Sequence, residues 1–301
     1  MAARHPAFGR AVLLGYGGVG RLLRALVGEH VESLTVVDAQ PARDDAPHVH
    51  LVADVTAPID KQLARALNAA ELIMCALPED ALVAALPGVI AAASPRAVLV
   101  DTASVKSPLP PLWDADGPAV LSINPMFAPS LSPTGRSVLA VAAGRSGRQQ
   151  DFVEVLRHND MVVTLLDSAD EHDRLVAVTQ AAVHAATLAY GLTLAGAGFA
   201  GEEVARLAPP PCRQQLMLLA RMVGQPAEVY EDIQRSNPHA AAMRAEVMAN
   251  LSHIGHLASE KRLGTAIADI ANWLGAARVP LAELCQDVFD NLTGTNVAPE
   301  R

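Results

Sequence analysis

An α/β domain followed by an all-helical one is the architecture this 301-residue sequence predicts, and three observations predict it. Short apolar runs alternate with helix-like stretches through the first half, the rhythm of a parallel sheet covered by helices. A glycine-rich G-x-G-x-x-G stands where the first run meets the first helix-like stretch. From about Ser168 onward the strand-length runs stop and apolar residues recur at helical spacing. The boundary falls near Asp167, giving a first domain of residues 1–167 and a second of 168–301.

The strand-like runs are residues 10–15 (RAVLLG), 33–38 (SLTVVD), 71–76 (ELIMCA) and 97–101 (AVLVD). Each is short, apolar and rich in β-branched or bulky residues. Residues 119–123 and 137–142 add two more around a Pro/Ser-rich loop, and 161–165 reads as a last strand. Residues 170–194 then carry the helical period, Pro209 to Pro211 break the chain, and helical segments continue to about Asn291.

The chain is 51% hydrophobic and 18% charged, with 23 Lys and Arg against 32 Asp and Glu, a net charge of −9. Surplus negative charge repels a phosphate backbone and argues against nucleic acid as a partner. No unbroken apolar run approaches the roughly 20 residues of a bilayer span, and residues 1–10 lack a signal-peptide core, so no membrane partner is expected. Cys75, Cys212 and Cys285 are scattered without metal-ligand spacing, which predicts no metal site and a reducing, cytoplasmic setting. Lysine occurs only as Lys61, Lys106 and Lys261.

Gly15-Tyr16-Gly17-Gly18-Val19-Gly20 is the cofactor loop this context predicts, and it marks the first half as a Rossmann-type domain. Gly15 permits the tight turn, Gly17 lets the backbone approach a pyrophosphate, and Gly20 lets helix and strand pack closely. The helix N-terminus behind them offers free N–H groups and a positive dipole end to phosphate. Asp38 ends the second run, 18 residues past Gly20. A carboxylate there accepts hydrogen bonds from ribose hydroxyls and repels a 2′-phosphate, favouring NAD; Arg43 nearby keeps NADP open.

Three later stretches follow in order: Asp101-Thr102-Ala103-Ser104-Val105-Lys106, Asn124-Pro125-Met126-Phe127-Ala128-Pro129, and Glu171-His172-Asp173-Arg174 with Gln180 and His184. Together they resemble the prephenate dehydrogenase family, most closely the dehydrogenase part of the bifunctional chorismate mutase/prephenate dehydrogenase proteins. The likeness runs to about Ile254 and takes in Tyr190-Gly191-Leu192, the helix from Arg213 to Arg221, and Tyr230. It implies a helical, dimerising second domain, hence a homodimer, and an active site in the cleft between the domains. Members oxidise a cyclohexadiene at C4 by hydride transfer to NAD or NADP while C1 loses CO2. The span from Gly15 to Asn291 then reads as a dehydrogenase core alone.

The resemblance assigns Arg221 to the ring carboxylate of a dicarboxylate substrate, His184 to substrate binding and catalysis, and Tyr230 to the substrate's vicinity. Ser104 follows the strand ending at Asp101, at the carboxyl edge where such sheets bind ligands, and is expected to serve both cofactor and catalysis. Lys106, inside the same motif, is expected to be a point charge near the site. Arg213 lies eight residues before Arg221, so both can share one helix face. Blander readings stand beside these: His184 as a hydrogen-bonded core residue, Arg213 as the partner of a surface acid, Tyr230 as a packing residue. His172 either orients the nicotinamide end or caps the helix its acidic neighbours open.

One position departs from the family. A histidine normally precedes Pro-Met-Phe and takes the proton of the substrate's C4 hydroxyl; this chain has Asn124. An amide accepts a hydrogen bond but no proton, and losing a positioned base costs about 10²- to 10⁴-fold. An amine at C4 changes the requirement, because its lone pair expels hydride and leaves an iminium that need not lose a proton in the transition state. The departure therefore predicts a C4 amino group on the substrate. Alternatives are a prephenate or arogenate dehydrogenase in which another group replaces the histidine, a β-hydroxyacid dehydrogenase or imine reductase, and an inactive NAD-binding sensor.

Overall fold

The computed structural model describes residues 7–41, 49–113, 116–144 and 147–292. They divide into two compact units, one ending at Val176 and one beginning at Ala177.

The first unit is built on eight strands: β1 (Phe8–Leu14), β2 (Val31–Asp38), β3 (Val49–Val52), β4 (Leu72–Cys75), β5 (Val98–Asp101), β6 (Ala119–Pro125), β7 (Ser137–Ala143) and β8 (Val162–Leu166). Their order across the sheet is β3-β2-β1-β4-β5-β6-β7-β8. Pairing is parallel except between β6 and β7. The helices of this unit are α1 (Gly18–Val27), α2 (Lys61–Ala69), α3 (Glu79–Ala92), α4 (Gln149–His158) and α5 (Ala169–Val176). Strand side chains alternate between two cores: Leu13, Met74 and Val100 pack with α1 and α4, while Leu14, Ile73 and Leu99 pack with α2 and α3. Burial on both faces explains why β4 is apolar without a break and β5 is apolar up to its final Asp101. Each fully buried Leu or Ile contributes about 1.5–3 kcal/mol.

Seven of these strands are anticipated by the sequence within a few residues, and β3 is not. Its four residues lie at the sheet edge with Val49 and Val52 exposed, so no apolar run announces it. The helix α5, which the sequence placed in the second half, belongs to the first unit. Ser168 Oγ accepts the Glu171 N–H at 3.1 Å, and Glu171 Oε2 reaches back to the Asp167 N–H at 2.8 Å. This reciprocal cap starts the helix and turns the next two residues, His172 and Asp173, inward.

The second unit opens with a π-helical segment, Ala177–Ala181, and continues as α6 (Ala182–Ala195), α7 (Gly201–Leu207), α8 (Pro210–Val223), α9 (Glu228–Ser236), α10 (Ala240–Ser259), α11 (Leu263–Leu274) and α12 (Arg278–Asn291). Among the described residues one helical run, Ala169–Ala195, is long and apolar enough to cross a membrane by length and composition. Unbroken apolar stretches miss it because His184, Thr187 and Tyr190 interrupt it. Its α6 part packs against α8 and α10, which accounts for the apolar composition.

Candidate active site

The turn between β1 and α1 obeys the glycine logic of its motif. Gly15 has φ +88°, and a Cβ there would meet the Ala76 carbonyl oxygen at 2.3 Å. At Gly20 a Cβ would meet the Gly15 carbonyl oxygen at 2.2 Å, so helix and turn touch through backbone. Gly17 is different: a Cβ would meet nothing within 4 Å, and Gly17 and Gly18 are exposed. The helix behind has no side-chain cap and no acidic residue in its first turn. Open backbone before free N–H groups fits a pyrophosphate.

Asp38 accepts the Tyr16 N–H at 2.7 Å and the Gln40 N–H at 2.8 Å. The two bonds hold the carboxylate at the end of β2 beside the glycine turn, with lone pairs left for ribose hydroxyls. The Tyr16 side chain is buried in the core and Val19 packs against it, so any part these two play at the turn is through backbone, and Gly17 and Gly18 are its exposed portion. Arg43, the residue that kept NADP open, lies outside the described residues.

The carboxyl ends of β5 and β6 carry the rest. Ser104 donates its hydroxyl proton to Glu79 Oε1 at 2.8 Å, and the same oxygen accepts the Val105 N–H at 2.8 Å. With its proton committed, Ser104 presents lone pairs rather than a donor. Glu79, in the first turn of α3, is a residue the motifs do not mark.

Lys106 requires a correction. It is 0% exposed, and its Nζ donates to the Ala103 carbonyl at 3.2 Å, Ser122 Oγ at 2.7 Å and the Ile123 carbonyl at 3.0 Å. All three ammonium hydrogens are committed, so it is an internal tie between β5 and β6 rather than a substrate cation. Ser122 passes its own proton to Asp101 Oδ1 at 2.7 Å. Burial pulls Lys106 down to about 8 against the opposing pull of Asp101, and burial raises Asp101 despite Lys106 and Ser122.

Asn124 sits near the end of β6 and is 4% exposed. Its Nδ2 lies 3.1 Å from His172 Nε2, and His172 Nδ1 lies 2.8 Å from Asp173 Oδ1. Asp173 also accepts the Lys106 and Ser107 N–H groups, each at 2.8 Å, and the Ser107 hydroxyl. Burial lowers His172 in spite of Asp173, which favours the neutral imidazole at neutral pH; burial pushes Asp173 up, but its bonds from His172 and Ser107 hold it below the usual range. Beyond Asn124, Pro129 returns to the cofactor turn, where a Cβ on Gly18 would lie 3.6 Å from its ring. The Asn124 loop and the dinucleotide turn are thus neighbours.

In the second unit, His184 and Tyr230 meet edge to face with ring centroids 4.9 Å apart. Arg221, exposed on α8, lowers the Tyr230 phenol electrostatically while burial raises it more. Three of the four residues expected there are therefore gathered on one patch. His184 Nδ1 is buried without a hydrogen-bond partner among the described residues, and burial lowers its pKa. Arg213 makes a structural bond: its guanidinium donates to the Leu292 carbonyl at 3.1 Å, which ties α8 to the end of α12.

A doubly covered sheet with an open glycine turn, a carboxylate held beside it at the end of β2 and a buried polar array at the adjoining strand ends defines a dinucleotide-dependent dehydrogenase. The chain is 36% identical over 295 residues to 4-amino-4-deoxyprephenate dehydrogenase of Streptomyces pristinaespiralis, covering 95% of this chain and 98% of that protein. It is 34% identical over 148 residues to the T-protein of Enterobacter agglomerans, covering 48% of this chain and 39% of that one. Prephenate dehydrogenase from A. aeolicus, solved in complex with hydroxyphenyl propionate and NAD+, shares the fold with a TM-score of 0.69 at 14% identity, over 94% of this chain and 100% of that one. No protein-family model matches the chain. The chain belongs to the prephenate dehydrogenase family.

Proposed function

We propose that this enzyme carries out NAD-dependent oxidative decarboxylation of 4-amino-4-deoxyprephenate, giving 4-aminophenylpyruvate, CO2 and NADH. The observation that carries it is Asn124, a proton-inert amide with its NH2 turned inward on a buried imidazole at the position where the family places a base. Bound NAD supplies the hydride acceptor. Asn124 Oδ1 accepts an N–H of the C4 amino group and orients its lone pair behind the departing hydride. The C1–carboxylate bond then breaks, and its electron pair enters the ring and converts the iminium to an aryl amine, so the amine, bound as its free base, reacts with no side chain removing a proton from nitrogen in the step. Ser104, held by Glu79, adds lone pairs at the same sheet edge.

Gly15, Gly17, Gly18, Gly20 and Asp38 hold the cofactor; Arg221 takes the ring carboxylate, with His184 and Tyr230 beside it. Apolar side chains exposed on α10, α11 and α12 favour a homodimer, and three free thiols suit the cytoplasm. An aryl-amine product suits a specialised route to a 4-aminophenylalanine unit of an antibiotic. The test is direct: purified protein with NAD is given 4-amino-4-deoxyprephenate, prephenate and arogenate in parallel. The amino substrate is expected to have the highest kcat/KM by about 10²-fold or more; equal or better turnover of prephenate overturns the assignment.

A further inference from the structure

An asparagine can present either end of its amide to a ligand, and the two ends are opposite in polarity. In this site the choice is made by residues that do not touch the substrate. The Asp173 carboxylate accepts only, so the His172 nitrogen facing it, Nδ1, must carry the imidazole proton. In the neutral ring His172 Nε2 is then a lone pair, and only the NH2 end of Asn124 can face it at 3.1 Å. Reversing the amide would set Oδ1 against that lone pair. The dyad is itself immobilised, since both residues are 0% exposed and Asp173 is bound by the backbone of Lys106 and Ser107. Asn124 Oδ1, meanwhile, takes no hydrogen bond from the described residues and is not sealed from solvent.

We propose that His172 and Asp173 are positioning residues that fix the polarity of Asn124, locking its amide with the donor end buried and the acceptor end toward the substrate. This rests on the proposed reaction in one respect, that the group Oδ1 meets is an N–H donor. Released from His172, the amide is free to offer its NH2 to the substrate nitrogen, donor to donor. The Lys106 and Asp101 charges also act on His172, but through space rather than by a bond.

A double-mutant cycle tests the coupling. His172→Phe keeps ring volume and removes the acceptor; it is expected to lower kcat on 4-amino-4-deoxyprephenate by about 10- to 100-fold, the scale of one oriented hydrogen bond to developing charge, with KM nearly unchanged. In the Asn124→Ala background the same change is expected to alter kcat less than about 2-fold, since the residue it orients is gone. Equal losses in both backgrounds show a merely structural role and overturn the proposal. His172→Gln, which restores an acceptor, is expected to recover part of the lost kcat; no recovery counts against it. If His172→Phe does not fold, 15N NMR of the wild-type imidazole decides: a proton on Nδ1 and a bare Nε2 are required, and the opposite tautomer overturns the assignment. A wild-type enzyme that prefers prephenate defeats the substrate reading alone, because the cycle is equally readable with that substrate.

Discussion

Asn124 differs from the imidazole it replaces in having no ionisation in the working pH range, and that difference should show in the kinetics. On the amino substrate the wild-type kcat is expected to carry no enzyme ionisation near 6.5 from this position. Asn124→His is expected to introduce one and to raise turnover of prephenate by about 10-fold or more, because the new group can take the hydroxyl proton. Initial rates against pH for both proteins on both substrates check this; an unchanged prephenate rate shows that other residues set the choice. The identity of residue 124 and its chemical consequence were legible in the sequence. Its orientation was not, because His172 lies 48 positions away and reaches it only once α5 docks against the sheet. Glu79 was hidden for the same reason, being 25 residues from the Ser104 it holds.

At the scale of elements, the β5 and β6 strand ends depend on buried ions. Lys106 looked like a substrate cation because a motif reveals residue type and spacing but not the direction of a side chain. Parallel pairing sets Asp101 opposite Ser122, and that pairing draws the ammonium inside. Lys106→Met is therefore expected to destabilise the protein by about 3–5 kcal/mol, by leaving Asp101 buried without its cation. Asp101→Asn in the same chain should restore part of the loss, and urea unfolding of the three proteins measures both. An unchanged unfolding midpoint with a raised KM would instead return Lys106 to the substrate. The helix α5 adds a pH dependence. Burial sets the folded His172 pKa below its unfolded value of about 6.5, so between those two values the unfolded chain binds the extra proton. Stability is then expected to fall as pH drops below about 6.5, more steeply than in His172→Phe, when unfolding free energy is followed from pH 7.5 to 5.

For the whole molecule, the two-part division was legible because hydrophobic period changes from strand-like to helical along the chain. What the sequence does not display is how unevenly the helical unit buries its apolar side chains. Trp273 is 79% exposed, Ile267 65% and Leu251 62%, and Leu284 and Ile270 are exposed with them. Helices α11 and α12 have no buried residue at all. A monomer rarely leaves apolar patches of more than a few hundred Å² in water, so a second copy of this unit is the economical cover. A two-fold dimer places the same residues on both sides of the contact, and one charge introduced there acts twice. Sedimentation equilibrium is expected to give a dimer for the wild type. Ile267→Glu and Trp273→Glu are each expected to weaken association by at least about 10-fold, since the carboxylate must be desolvated in the contact. The first unit, whose core holds the dinucleotide turn, should still bind NAD in the dissociated variants. A wild type that sediments as a monomer at micromolar concentration shows that these side chains serve something other than a second copy of the chain.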